Sequence, residues 1–589
     1  MTLSTGNNRT AWWLLGFGLC VASWFAYFPL PFFEFYKEWL FAVVTALAAL
    51  VLRLQPAPAL APVGLGRHPL FLAGGAVLAM LLLQAALRDG MWSRATIVAC
   101  YVGFFLVTLD AGRRMYAARG GQSLEWVAWA VLIAALGNCL FAALQLNWIE
   151  FTIPLVAPRS GDRLSANLAQ ANHFADLLWL GCMAAIYLHV RGKLRLGLFV
   201  ATALLLLFFS QLTGSRMVWL YVAFAAVLGG TLLICSRDLP VRRFSSGLVT
   251  IAALSVVVTL VLSISPVHDW FVITSGTQRM TSDSGENSTR LRLWLWQVGL
   301  DAARHAPMWG VGVGRYVGHG HVLSMSTADS PPAGADAYAH NLFIHLAAEL
   351  GIPVALIVLL CVTVWLVAAL RRAARDADTL AAVALWGVIF VHANLEYPLS
   401  YLYFLGLFGL FAGHVLVFCA PGSTRPNRFH WLGAAVPVAV LAIAGVAYAQ
   451  FARLERAMQR VVMQVGLGAP PQRDATLESS LASLPSWSPY REYAEGILLM
   501  TALPGKDNAA ELAARCDQAV TWGPSPYLLA RCATVYQVAG QTERASYFAN
   551  SLCKMFPAHD VTLVQSMLYV ERFSPEADGI VSTCVERND

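Results

Sequence analysis

Charge is what this chain has least of: 13% of its 589 residues are Asp, Glu, Lys or Arg, against 58% hydrophobic. With a mean hydropathy of +0.59, a soluble globular protein is excluded. The 11 cysteines include no C-x-x-C or other zinc spacing, so they outline no metal site. No small-residue cleavage signal follows the first apolar segment, which therefore reads as an anchor rather than a removed signal peptide. The long polar stretch inside the apolar region has no D-x-D-type pair of the kind that holds a catalytic metal. No metal and no cofactor is expected.

What the chain does have is a series of apolar runs. Crossing about 30 Å of hydrocarbon takes roughly 18 such residues, and about thirteen runs qualify. They begin near residues 12, 39, 69, 94, 125, 168, 195, 216, 248, 342, 380, 399 and 431. The expected fold is all-α. A polytopic membrane helix bundle occupies residues 1–265 and 342–450, interrupted by a long polar loop at 266–341 and followed by a helical domain at 451–589. Basic residues crowd alternate loops: Arg113, Arg114 and Arg119; Arg191, Lys193 and Arg195; Arg237, Arg242 and Arg243; Arg371, Arg372 and Arg375. The opposite side is sparser, with Lys37, Arg88, Arg94, Arg159, Arg163 and Arg216. The positive-inside rule then puts the polar loop and the C-terminal domain outside the cytoplasm. The formal net charge of +6 follows from that topology and gives no reason to expect nucleic acid.

Four cysteines, Cys516, Cys532, Cys553 and Cys584, lie in the tail, where an extracytoplasmic setting permits disulfides. Three pairings are possible, and Cys516–Cys532 is preferred because antiparallel helices would bring the two together. The stretch from Ala533 to Pro557 fits the small/large pattern of a tetratricopeptide hairpin, as it fits an ordinary helical one.

Polar groups gather at one end of the bundle. The loop holds Asn287-Ser-Thr-Arg290-Leu-Arg292-Leu-Trp294, then Pro307-Met-Trp-Gly310-Val-Gly312-Val-Gly314, then His340-Asn341 at the mouth of an apolar helix. On the same side lie Arg159, Asp162, Arg163, Gln170, Asn172, His173 and Asp176, with Arg216 opening the eighth segment. A late turn adds His392, Asn394, Glu396, Tyr397 and Tyr401. Ionisable groups at membrane depth are costly and default to function. Each also has a plainer role. Arg216 could snorkel as an anchor, though on the side that the charge bias disfavours. Gln170 and Asn172 could bond neighbouring helices, His340 could cap a helix, and Tyr397 and Tyr401 could be interfacial aromatics. His319-Gly-His321 invites a metal, yet two histidines in a glycine-rich loop read as solvated. Taken together, guanidinium forks grip phosphate and neutralise a leaving group, while a histidine takes a proton from a hydroxyl at neutral pH. That pairing suits displacement of a lipid pyrophosphate by an alcohol.

Arg290-x-x-x-Trp294, Pro307-x-x-Gly310-x-Gly312 and His340-Asn341 with Glu349 and Gly351 resemble the periplasmic loop of the O-antigen ligase/polymerase (WaaL/Wzy) superfamily. Gln170-x-Asn172-His173-Phe174, Glu396-Tyr397-Pro398-x-x-Tyr401 and a C-terminal extension of this size narrow the likeness to PglL-type bacterial protein O-oligosaccharyltransferases. It spans most of residues 150–420. Where that family has Gln-Pro-Asn, this chain has Gln170-Ala171-Asn172, which loses a proline and keeps both amides. The resemblance implies a multi-pass enzyme of a bacterial inner membrane, active at the periplasmic face. Its donor would be an oligosaccharide on undecaprenyl pyrophosphate, transferred en bloc to Ser or Thr of pilins or other exported proteins. By residue, the resemblance makes His340 the base and Arg216 and Arg290 the grip on pyrophosphate. Gln170, Asn172, Arg163, Arg292, Tyr397 and Tyr401 become substrate-binding groups, with the choice between Arg290 and Arg292 left open. Ligation to lipid A–core, or polymerisation of repeat units, is the alternative within the superfamily. A lipid-linked-oligosaccharide flippase or transporter is the alternative of another class. It predicts internal repeats and charges through the midplane, neither of which stands out.

Overall fold

A computed structural model describes residues 7–556 apart from 55–67, 89, 147–154, 159–162, 265–282, 329, 332–335, 420–431, 467–473 and 522. Arg159, Asp162, Pro557 and Cys584 therefore lie outside the described residues, as does the first part of the polar insert. The described residues form 21 α-helices and no strand. The first five are α1 (Asn7–Trp24), α2 (Phe35–Leu54), α3 (Pro69–Leu87), α4 (Trp92–Arg119) and α5 (Gly121–Gln145). Next come α6 (Ala171–Val190), α7 (Leu196–Leu212), α8 (Met217–Cys235) and α9 (Leu239–Leu262). The described part of the insert is largely helical rather than a loop, with α10 (Asp283–His305) and α11 (Tyr316–Ser326) inside it. Then follow α12 (Leu342–Leu350), α13 (Ile352–Ala373), α14 (Ala377–Ala393), α15 (Leu402–Cys419) and α16 (Leu432–Gly466). The tail holds α17 (Ala475–Ala482), α18 (Arg491–Thr501), α19 (Ala509–Val520), α20 (Pro526–Val538) and α21 (Thr542–Met555).

Nine of these helices are long and apolar enough to cross a membrane, and four shorter apolar ones accompany them. The chain is a multi-pass membrane protein. Hydrocarbon offers no hydrophobic drive between helices, so close backbone approach and internal polar bonds must hold the bundle. Gly409-Leu-Phe-Ala-Gly413 on α15 is the small-x-x-x-small case. A Cβ at Gly413 would lie 2.1 Å from the Leu109 carbonyl oxygen of α4, so only glycine allows this crossing. The centre of the bundle is α6, buried along almost its whole length.

Two expected boundaries shift. Residue 342 opens the short α12, and the spanning helix begins only at Ile352. Gly351 separates the two in the left-handed region (φ +91°), with the Met308 carbonyl where a Cβ would sit, and proline follows in the first turn of α13. At the other end α16 runs without a break through residue 451 to Gly466. Its extension packs Phe451, Leu454, Ala457 and Val461 against α17 and α18, with Phe35 stacked on Phe451 at 3.7 Å. The Cys516–Cys532 disulfide joins α19 to α20, and α20 and α21 form a helical hairpin.

Candidate active site

The polar insert is built onto the bundle through backbone bonds. The run Pro307–Gly314 turns beneath α12. Val311 N donates to Ala348 O at 2.8 Å, and Ile352 N donates to Pro307 O at 2.8 Å. The buried Glu349 accepts from Gly314 N at 2.9 Å, and Gln84 of α3 donates to Trp309 O and Glu349 O. The glycine run is thus a scaffold that clamps α10 and α12 together. A methyl at Gly310 would collide with the Glu349 backbone. The α10–α12 seam is closed by Trp294, Leu295, Val298 and Ala302 against Ala339, Tyr316 and Ala348.

His340 sits at the end of this seam in the left-handed region (φ +52°), an uncommon conformation for a non-glycine residue and one associated with functional sites. Asn341 locks it from behind. Its side chain caps α12 by accepting from Phe343 N and Ile344 N at 3.1 Å, and it donates to Asn394 O at 3.2 Å. The His340 ring has Nε2 3.3 Å from Asp336 Oδ2, while Nδ1 is buried with no hydrogen-bond partner among the described residues. A carboxylate that takes one N–H fixes the tautomer and leaves the other nitrogen to accept. Tyr397 stands edge-on to the ring at 5.1 Å and stacks on Tyr338 at 4.6 Å. Burial pushes the Tyr338 phenol up to about 12 and raises Tyr397 as well, so neither competes as a base near neutrality.

In front of His340 lies a cavity of about 170 Å³ lined by Arg163, Asn172, Arg216, Ser288, Arg292 and Glu396, with apolar walls from Met217, Leu291 and Leu295. Arg216 donates to Ser288 Oγ and Thr289 Oγ1, both at 2.9 Å. Arg163 donates to Thr213 O at 2.9 Å and Asn172 Oδ1 at 2.8 Å. Arg292 donates to Glu396 Oε1 at 2.6 Å. A second, larger cavity of about 340 Å³ shares His340 and Glu396 with the first and is walled mostly by apolar side chains of α3, α4, α13, α14 and α15.

Glu396 ties this wall to the bundle interior. Asn172 and Gln170 donate to it from the head of α6, and His392 Nε2 meets Oε2 at 3.1 Å. The other nitrogen of His392 meets Asp176, which also accepts from Tyr221. His392 and Asp176 are 0% exposed. Burial disfavours the Glu396 charge, yet the bond and charge of His392, with Arg292, hold its carboxyl well below the usual carboxylate range.

Comparison with known proteins bears on this arrangement. A family model described as O-antigen ligase matches residues 200–359, one described as protein glycosylation ligase matches 166–189, and one described as the C-terminal part of a virulence factor membrane-bound polymerase matches 380–568. Together these segments carry Gln170, Asn172, Arg216, Arg290, Arg292, His340 and Glu396. Over these separate segments the chain is similar to O-antigen ligases and protein glycosylation ligases. Two curated relatives come from Acinetobacter baylyi. The general O-oligosaccharyltransferase is 24% identical over 328 residues, covering 55% of this chain and 56% of the relative. The ComP-specific O-oligosaccharyltransferase is 26% identical over 293 residues, covering 49% of this chain and 50% of the relative. The chain thus spans about half the length of the curated relatives it matches.

The structure keeps some expected residues together and separates others. His340, Arg216, Arg163, Asn172 and Arg292 share one cavity. Arg290 does not line it and is exposed on α10. Two positions on a helix are about 200° apart, so when Arg292 faces inward Arg290 cannot. Gln170 lies one layer back, capping α6 by accepting from His173 N and bonding Glu396. Tyr401 also lies behind, against His173 at 4.3 Å, while Tyr397 lines the apolar cavity. His319 is on α11 rather than in a loop, and His321 is buried rather than solvated. Sequence reasoning misses Asp336, and it places Asp176, His392, Glu396 and the Ser288 run on this face without giving them a role. Asp336, four residues before His340, carried no periodic signal because the intervening backbone is not helical.

Proposed function

We propose that this protein is an O-linked protein oligosaccharyltransferase. It moves a preassembled glycan from a polyprenyl pyrophosphate, undecaprenyl in a bacterial inner membrane, to Ser or Thr hydroxyls of pilins or other exported proteins on the periplasmic side. The observation that carries this reading is that three guanidinium groups and His340 line one cavity, with His340 Nδ1 left without a hydrogen-bond partner among the described residues.

The acceptor oxygen attacks the anomeric carbon and passes its proton to His340 Nδ1. The bond from that carbon to the diphosphate oxygen breaks with inversion, and the electron pair leaves on the diphosphate. Asp336, accepting Nε2–H, orients the ring and stabilises the imidazolium that forms. Arg163, Arg216 and Arg292 neutralise the departing charge, a role that planar forks fill well. The apolar cavity beside His340 offers the polyprenyl chain a route to hydrocarbon. The names of the two relatives favour a protein acceptor over lipid A–core.

Reconstitution with lipid-linked glycan, offering an exported protein and lipid A–core in parallel, tests the reading. Glycan on the protein's Ser or Thr supports it. Glycan on lipid A–core alone turns the assignment to ligation, and retention of all glycan on the donor, with its movement across the bilayer, turns it to transport.

A further inference from the structure

Away from the cavity, Asp301 and His305 lie one turn apart on α10, and His319 lies on the facing turn of α11. His319 Nε2 is 2.8 Å from Asp301 Oδ2, and His305 Nδ1 is 3.3 Å from the same oxygen and 3.0 Å from the Asp301 carbonyl. The two rings are 5.5 Å apart, and one ligand atom from each of the three residues falls within 4.8 Å of the others. Zinc held by nitrogen and oxygen at about 2.0–2.2 Å in a tetrahedron places its ligand atoms roughly 3.3–3.5 Å apart. The trio is close to that spacing as it stands. Asp301 has imidazoles from two different helices as its ion-pair partners, and no Lys or Arg pairs with it among the described residues.

We propose that Asp301, His305 and His319 form a binding site for a zinc-like divalent cation, with the remaining position open to water. The nine-residue step from Arg292 to Asp301 rises about 14 Å along the helix, so the ion takes no part in transfer. Its effect is mechanical. It staples α10, which carries Arg292, to α11, the helix on which the tail rests through Thr521 against Gly318 and Tyr547 against His321. Nothing in the proposal depends on the glycan-transfer reading.

The test uses the untagged full-length chain in detergent, stripped with chelator and titrated with zinc chloride, read by calorimetry and by bound zinc per chain. His305 is largely exposed, so His305→Ala and the His305→Ala/His319→Ala double variant are expected to fold. The wild type should bind one more zinc than the double variant, and zinc should raise the melting temperature of the wild type only. Equal zinc uptake by the two proteins, or no uptake by the wild type, overturns the proposal. A wild type that binds the extra zinc without a rise in melting temperature overturns the stapling role.

Discussion

In the proposed mechanism Asp336 orients His340 as the base, and that relation makes a sharp prediction. Asp336→Asn keeps the shape but loses the negative charge and puts an NH2 donor in place of one carboxylate oxygen, so the side chain no longer enforces one His340 tautomer. Transfer should fall by about 10²–10⁴-fold in kcat, with the KM for lipid-linked donor little changed. An effect on donor KM alone would assign Asp336 to binding. The arginines can be sorted in the same way. Arg292→Lys should cost far more activity than Arg290→Lys, because an ammonium lacks the fork that holds Glu396 and, in the proposed mechanism, would also grip phosphate; equal losses would contradict the placement. The residue types needed were visible in the sequence, since arginines with a histidine beside apolar helices already imply anionic lipid chemistry. Which of Arg290 and Arg292 turns inward was not, because that depends on how α10 rolls against α12 through Trp294, Leu295 and Val298.

At the scale of elements, apolar length made the helices legible, whereas polar bonds between distant segments were not. Glu396 meets Asn172 and Gln170 from α6, Arg292 from α10 and His392 from α14, contacts that no local pattern announces. Its depressed pKa fixes a pH dependence. A carboxyl held below its unfolded value of about 4.3 stabilises the fold in full above that pH, and the contribution is lost as pH falls toward the folded value. The melting temperature of the wild type should therefore drop more steeply than that of Glu396→Gln between pH 7 and pH 3. Parallel curves would mean that Glu396 carries no charge in the native state. The glycine run read as a motif proves to be packing, and Gly351→Ala should destabilise the α12–α13 junction by about 1–3 kcal/mol, because a side chain there meets the Met308 carbonyl. Wild-type thermal stability in that variant would contradict the close approach.

The whole molecule couples a membrane bundle to a helical tail through α16 and through ion pairs such as Arg94 with Glu492. The Cys516–Cys532 disulfide closes a loop of 16 residues, for which chain entropy gives about 3 kcal/mol. Replacing both cysteines by serine should lower the melting temperature of the tail and leave the bundle inserted. The proposed transfer rests on His340 taking the acceptor's proton beside a cluster of guanidinium groups. Single-turnover transfer in proteoliposomes, wild type against His340→Ala, with donor affinity measured on the same preparations, probes that most directly. The variant is expected to hold donor within a few-fold of wild type and to transfer glycan at least about 10²-fold more slowly. Transfer at the wild-type rate with donor bound would contradict it.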